Sequence, residues 1–418
     1  VSRDAYGIPF VEAKNMEDMA MVVGYVHASD RFAQMIGLKL ISEGRLAEMA
    51  GLSVLNLDIY MRTMNLRSVA ENLYKNIAPG NLVIMQRYAD GVNAYLDQHK
   101  DKMPPGIALA GYRPEPWKPI DSIKIFALVN FALSFNLHEE IAALNITQAI
   151  GADQAAWLFP IYPDEPIPFD EAGKLKGIDL NKAAESIKQL AELQPLLSSV
   201  GLSGFAASNN WAISKNKTKD GASIFCNDTH LPLSMPSLWN MLHMKGGPLD
   251  VAGVNIAGIP IIVAGYNGHV AWGMTMVMAD NQDLFLEQLK PVDGKLHYLY
   301  KGRWMPVTER QEVFKIKGEE PVTITVHETI HGPLLNEALR KEPLHSLQAK
   351  SFDLPYGVAM SWASATKDDD SVNAFSKLSF AGSLNEAIPV IKQIKAIPLN
   401  MVYADKDNIA WQVIGNYP

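Results

Sequence analysis

The chain has 418 residues, 48% of them hydrophobic and 20% charged, enough to bury a large core and, by length alone, to form two or three domains. A formal net charge of −8 with no basic run argues against a nucleic-acid partner. The single cysteine, Cys226, excludes an internal disulfide framework, and its apolar strand setting reads as buried filler. No apolar run is read as long enough to span a bilayer: residues 123–133 are interrupted by Lys124 and Asn130, and 251–265 by Asn255 and Pro260. The chain opens on Val1, which reads as a mature or trimmed product, so the missing leader is uninformative.

In chain order, residues 1–12 read as a strand broken at Gly7-Ile8-Pro9. Asn15 is placed to cap a helix from Met16 to about Ala50, ended by Gly51. Asp30, Arg31, Glu43 and Arg45 read as a charged helical face with pairs of the i,i+4 kind. Further helical patterns cover 66–77, 80–99, 122–150 and 181–194, separated by a stiff proline-rich connection at 111–117. Residues 160–178, with four prolines, read as a surface loop. The first half is therefore mainly helical, and small residues across 195–207 read as a linker.

From 208 the grammar changes to short alternating strands. The run 211–214, a polar tract ending in Asp220-Gly221, and the run 222–226 read as a hairpin. A turn centred between Lys219 and Asp220 pairs residues whose numbers sum to 439. Ser208 then lies opposite Leu231 with His230 one residue away, within roughly 5 to 8 Å, a candidate catalytic pair. Strands follow near 249–254, 260–265, 284–289, 296–300, 311–316, 322–326 and 401–405, with Asn267-Gly268 as a tight turn and helices near 370–380 and 383–394. His327-Glu328-Thr329-Ile330-His331 matches the H-E-x-x-H zinc signature, but 322–326 alternates as a strand. A strand holds the two histidines about 13 Å apart, too far for one ion. Walker, Rossmann and G-x-S-x-G patterns are absent, as are repeats.

Ser208-Asn209-Asn210-Trp211 after a Gly/Ala/Ser-rich lead, the opening Arg3 to Pro9, the blocks 24–35 and 43–48, and Leu399-Asn400-Met401-Val402-Tyr403-Ala404-Asp405 together resemble the penicillin acylase family of N-terminal nucleophile hydrolases. The resemblance runs from Arg3 to Pro418 and implies an α+β, four-layered αββα fold. It also implies a precursor divided into an α-subunit region (1–194), a spacer (195–207) and the start of a β-subunit region (208–418), with relatives that continue further. The function implied is a zymogen that cuts itself before Ser208 and then hydrolyses a small-molecule N-acyl amide. In that scheme Ser208 supplies both the nucleophilic hydroxyl and, through its freed α-amine, the base.

Carried over residue by residue, the resemblance gives the oxyanion to the Met276 N–H and the Asn400 side chain, with methionine a departure from the small residue common there. His230 would orient the Ser208 amine and hydroxyl, and Asn210 or Asn209 would help bind the substrate amide. By residue type, Leu231, Met274, Met276 and Met278 read as an apolar acyl pocket that contacts substrate. Asp280, Gln282 (through its main chain) and Asp283, with the distant Glu140, resemble the family's calcium loop, which would pin the halves together without activating water. No organic cofactor, nucleic acid or membrane is implied. A periplasmic or secreted location and a role in antibiotic metabolism are. The competing readings are a non-catalytic periplasmic binding protein on the same scaffold and a zinc peptidase using His327 and His331.

Overall fold

The computed structural model describes residues 1–134, 136–158, 178–200, 207–231, 233–339 and 354–417; the expected loop at 160–178, save its last residue, and the lead-in at 204–206 lie outside them. The described first half is helical: α1 Met16–Glu43, α2 Ala47–Ala50, α3 Leu55–Met64, α4 Leu66–Lys75, α5 Pro79–His99, α6 Pro105–Ala110, α7 Pro119–Leu133, α8 Leu137–Ile150, α9 Ala152–Leu158 and α10 Leu180–Ser199. Asn15 caps α1 as expected, its side chain accepting from the Asp18 N–H at 2.8 Å. The helix stops at Gly44 rather than Gly51, because Gly44 takes φ +59° where a Cβ would stand 2.5 Å from Arg62 Cγ. The expected helix over 122–150 is two helices. Ser134 turns its hydroxyl back to the Asn130 carbonyl, and Asn136 directs its amide to Asp280 and the Gln282 N–H instead of continuing the helix. The helix that ends the half runs to Ser199 through Pro195, five residues into the expected linker, with Leu190 and Leu197 fully buried.

The charged residues of α1 do not pair along their own helix. Arg31 leaves helical geometry (φ −139°) and donates to the Ser237 carbonyl at 2.8 Å, Asp30 accepts from Arg3, and Arg45 gathers Glu43, Glu48 and Glu115. Lys39 and Asp121, both buried, meet at 2.8 Å and join α1 to α7. Burial alone would raise the Asp121 pKa, but Lys39 and Lys124 outweigh it and hold the carboxyl below its usual range. By length and composition alone the stretch Pro119–Ile150 is apolar enough for a bilayer span, with mean hydropathy 1.4, contrary to the reading of 123–133, but it is divided between α7 and α8 and 65% of its apolar window is buried inside the protein.

The strands are β1 Ser2–Arg3, β2 Pro9–Ala13, β3 Ala207–Ile213, β4 Ile224–His230, β5 Trp239–Gly246, β6 Leu249–Ile256, β7 Ala264–Tyr266, β8 Val270–Met276, β9 Gln282–Glu287, β10 Leu289–Val292, β11 Lys295–Tyr300, β12 Arg303–Pro306, β13 Thr308–Phe314, β14 Val322–Thr329, β15 Gly332–Pro333, β16 Gly357–Trp362, β17 Leu399–Asp405 and β18 Ile409–Ile414. Eight form one sheet in the order β1-β2-β5-β6-β7-β8-β17-β18, antiparallel except where β2 meets β5. One core lies between this sheet and α1, α5 and α7, and includes Val11, Val23, Tyr88, Ile125, Trp272, Met274 and Met401. A second joins α3, the end of α7, β14 and β16 through Tyr60, Phe131, Ile324 and Met360. The α1–α5 crossing is close enough that a Cβ on Gly91 would stand 1.8 Å from the Met21 carbonyl oxygen. Mixed helix and sheet agrees with the expected α+β class.

Hairpin β3–β4 forms its own two-stranded sheet and packs on β8 and β17. Its residues pair with numbers summing to 437: Ser208 faces Thr229 and Ala207 faces His230. The turn is longer than a bare Asp-Gly, with a 3₁₀ segment at Lys215–Lys217, so the centre shifts toward Thr218 and Leu231 falls beyond the strand. The alternation carries a further correction. A residue one place out of register points to the opposite face, so His230 and Ser208 stand on opposite sides of the hairpin under either register. Cys226, opposite Trp211, is half-buried rather than buried.

The two layers are joined by a buried polar chain. His27 on α1 receives the Asn255 Nδ2 of β6 at 3.1 Å, and Asn255 Oδ1 accepts from Asn240, so the ring proton sits on Nδ1, 2.8 Å from the Tyr88 hydroxyl. Burial, helped by Arg31, pushes the His27 pKa down to about 3. The folded ring stays neutral while the unfolded one takes a proton below about 6.5. Stability is thus complete above that pH and lost as pH falls, by up to about 1.4 kcal/mol per unit until about 3. His27→Gln should flatten that part of the profile in urea unfolding measured from pH 7.5 to 4.5; an unchanged slope would sink the assignment.

Candidate active site

Strand β7 ends early: its last pair with β8 is Gly265 to Trp272, whereas β17 accompanies β8 as far as Met276. The flank of β8 beyond Trp272 is filled by a side chain. Asn227 of β4 accepts from the Met274 N–H at 3.1 Å and donates to the Met274 carbonyl at 2.9 Å, doing with one amide what a neighbouring strand would do. Its Nδ2 also reaches the Asn209 carbonyl at 3.2 Å. Gly273 makes room, since a Cβ there would lie 2.5 Å from Asn227 Oδ1. Met276, two residues on from Met274, turns its N–H to the same flank by strand alternation.

The second tie is Asn210, whose Nδ2 donates to the Asn400 carbonyl at 3.2 Å. Asn400 lies opposite Thr275, and its own Nδ2 donates to the Met276 carbonyl at 3.2 Å. Its Oδ1 accepts from the Trp411 indole N–H at 3.3 Å. The two nominated oxyanion donors therefore sit beside one another at the end of β8. Half-buried Ser208 shares the inward face of the hairpin with Asn210 and Asn227, and its hydroxyl donates to the Ala207 carbonyl at 2.6 Å.

Other nominated residues are placed differently. His230 is exposed and bonds Asp228 at 2.8 Å, away from Ser208. Leu231 is half-buried just past β4. Met274 belongs to the core, while Met278 is 58% exposed with φ +54°, so the three methionines do not line one pocket. His327 lies on strand β14 with Glu309 3.8 Å away, and His331 follows that strand with its Nδ1 2.8 Å from Glu287. The zinc geometry is therefore not made.

The acidic residues do converge. One carboxylate oxygen each from Glu140, Asp280 and Asp283 lies within 4.8 Å of the others. Among the described residues no lysine or arginine pairs with them, and burial, then Asp280 and Asp283, push Glu140 up to about 7. Asp283 is raised as well, by burial and Asp280. Asn136 completes the frame, donating to Asp280 at 2.8 Å and accepting from the Gln282 N–H at 2.9 Å. Gln282 is fully buried, and alternation sends its side chain away from that of Asp283. Its N–H is held by Asn136 beside the cluster, and the three carboxylates are a donor set suited to calcium. Asn136, Asn227 and Trp411 escape the sequence reading. For Asn227 a signal exists, the alternation that puts 227 on the same face as 208 and 210.

A family model described as penicillin amidase matches residues 1–418. An acyl-homoserine lactone acylase, QuiP, of Pseudomonas aeruginosa is 48% identical over 421 residues, covering 100% of this chain and 49% of its own. The penicillin G acylase of Escherichia coli is 27% identical over 388 residues, covering 80% of this chain and 45% of its own. Thermostable penicillin G acylase from Alcaligenes faecalis, a solved structure, aligns at TM-score 0.41 and 21% identity over 49% of this chain and 35% of that one. The chain spans about half the length of the curated relatives it matches.

Asn227→Ala removes both partners of Met274 and should destabilise by about 1–3 kcal/mol. Gly273→Ala should act on the same contact, so the double variant should lose less than the sum of the two. Urea midpoints for the three proteins measure this. Additive losses would show that Asn227 and Gly273 are independent.

Proposed function

The chain belongs to the penicillin amidase family, and from that premise we propose that it carries the catalytic segment of a self-processing N-acyl amide hydrolase with Ser208 as nucleophile. The observation that carries this reading is the docking of β3 by Asn210 and Asn227, which lays the Ser208 face against Asn400 and the end of β8. In the continuous strand Ala207–Ile213 the Ser208 nitrogen is an amide without basicity. Its hydroxyl already rests on the carbonyl of the bond to be cut. Cleavage frees an α-amine with a pKa near 7.7–8, which is partly neutral at working pH.

The amine then takes the Ser208 proton as Oγ attacks the acyl carbon, and the Met276 N–H and Asn400 Nδ2 receive the oxyanion. The proton passes to the departing amine, leaving an ester on Ser208. Water, activated by the same amine, releases the acid and restores the hydroxyl. Relatives named acyl-homoserine lactone acylases point to a homoserine lactone amide as the first substrate class to test. Location is proposed as periplasmic or secreted.

Glu140, Asp280, Asp283 and the Gln282 main chain would hold a calcium ion that neutralises the carboxylates and ties α8 to β9. No chemical step passes through it.

In the full-length polypeptide, Ser208→Ala should abolish both the second N-terminus reading Ser-Asn-Asn-Trp and amide hydrolysis, with a fall in kcat on the order of 10⁴-fold or more. N-terminal sequencing and turnover of an N-acyl homoserine lactone measure the two. An active variant would refute the nucleophile, and a wild-type chain that is intact and inert would favour the binding-protein reading. For the metal, millimolar calcium should raise the Tm of the wild type but not of Asp280→Asn; equal shifts would remove the site.

A further inference from the structure

An asparagine serves an oxyanion only if its NH₂ end, not its oxygen, faces the substrate, and the two ends are nearly the same size. We propose that Trp411 is a positioning residue that sets this choice for Asn400, an inference resting on the reading of Asn400 as an oxyanion donor. Trp411 stands on edge strand β18 opposite Val402, on the same face as Asn400, whose partner is Val413. The indole N–H can only donate, and it donates to Asn400 Oδ1 at 3.3 Å. The Met276 carbonyl can only accept, and it takes Asn400 Nδ2 at 3.2 Å. Both neighbours therefore read the amide the same way. A flip would set N–H against N–H at Trp411 and oxygen against oxygen at Met276, and would turn an acceptor toward the developing negative charge.

The second Nδ2 hydrogen is left to the site while the first stays on Met276. The Trp411 side chain is 66% exposed in this chain.

The test uses the full-length enzyme and a long-chain aliphatic N-acyl homoserine lactone, with the released amine read by an amine-reactive fluorophore and rates expressed per chain bearing an N-terminal Ser208. Trp411→Phe keeps the ring and loses the donor; kcat should fall about tenfold, less than the 10²–10³-fold loss of a donor itself, with KM unchanged. Trp411→His restores an N–H and should recover part of the rate. In an Asn400→Ala background, Trp411→Phe should add nothing in single-turnover measurements. A wild-type kcat for Trp411→Phe, or its full loss repeated on top of Asn400→Ala, overturns the positioning role alone. Full activity of Asn400→Ala overturns the oxyanion reading and this inference with it. If Trp411→Phe folds with wild-type Tm but does not process, recovery of processing by Trp411→His supports the role and its failure refutes it.

Discussion

The arrangement depends on an asparagine amide standing in for a missing piece of strand. Where β7 stops, the peptide groups of β8 would face the flank without partners, and a buried peptide group left unpaired is costly. Asn227 satisfies the N–H and the carbonyl of Met274 together. Because Asn227 is part of β4, satisfying β8 also brings in the hairpin that carries Ser208. Gly273 is the counterpart in the sheet, a residue whose lack of a side chain creates the seat. Asn210, the cross-strand partner of Asn227, adds a bond to the Asn400 carbonyl of β17, so the two amides moor one rung of the hairpin, two residues along β3 from Ser208.

A similar economy holds elsewhere in the molecule. His27, Tyr88, Asn255 and Asn240 form a neutral chain from helix to sheet, and Lys39 with Asp121 forms a charged one between helices. The carboxylates of Glu140, Asp280 and Asp283 differ from both, since Asp280 makes Glu140 and Asp283 harder to ionise and Asp283 does the same to Glu140. Helix α8 and strand β9 meet at a point of repulsion, and the break between α7 and α8 exists because Asn136 is committed to that same junction.

Element types were legible where periodicity was strong, and their ends were legible where a cap spoke, as at Asn15. Gly51 misled because Gly44, seven residues earlier, already had the crowded left-handed position that ends the helix. The acidic cluster could be named from residue types, while Asn136 could not, since nothing in a lone asparagine tells which loop it will hold. The pairing of Ser208 with His230 failed for a geometric reason present in the sequence itself. Neighbours along a ladder are close in distance, but alternation assigns them opposite sides. Trp411 was hidden because its role depends on a register between β17 and β18 that only the fold defines.

Both asparagines that moor the hairpin are uncharged and have no proton to lose. Those two bonds are therefore indifferent to salt and to acidity across the range in which an α-amine near 7.7–8 changes state, unlike the exposed Lys215–Asp407 pair that also joins the hairpin to the β17–β18 turn. At these two points the mounting is decoupled from the proposed base: the acidity of the medium would act on the amine and leave the amides untouched.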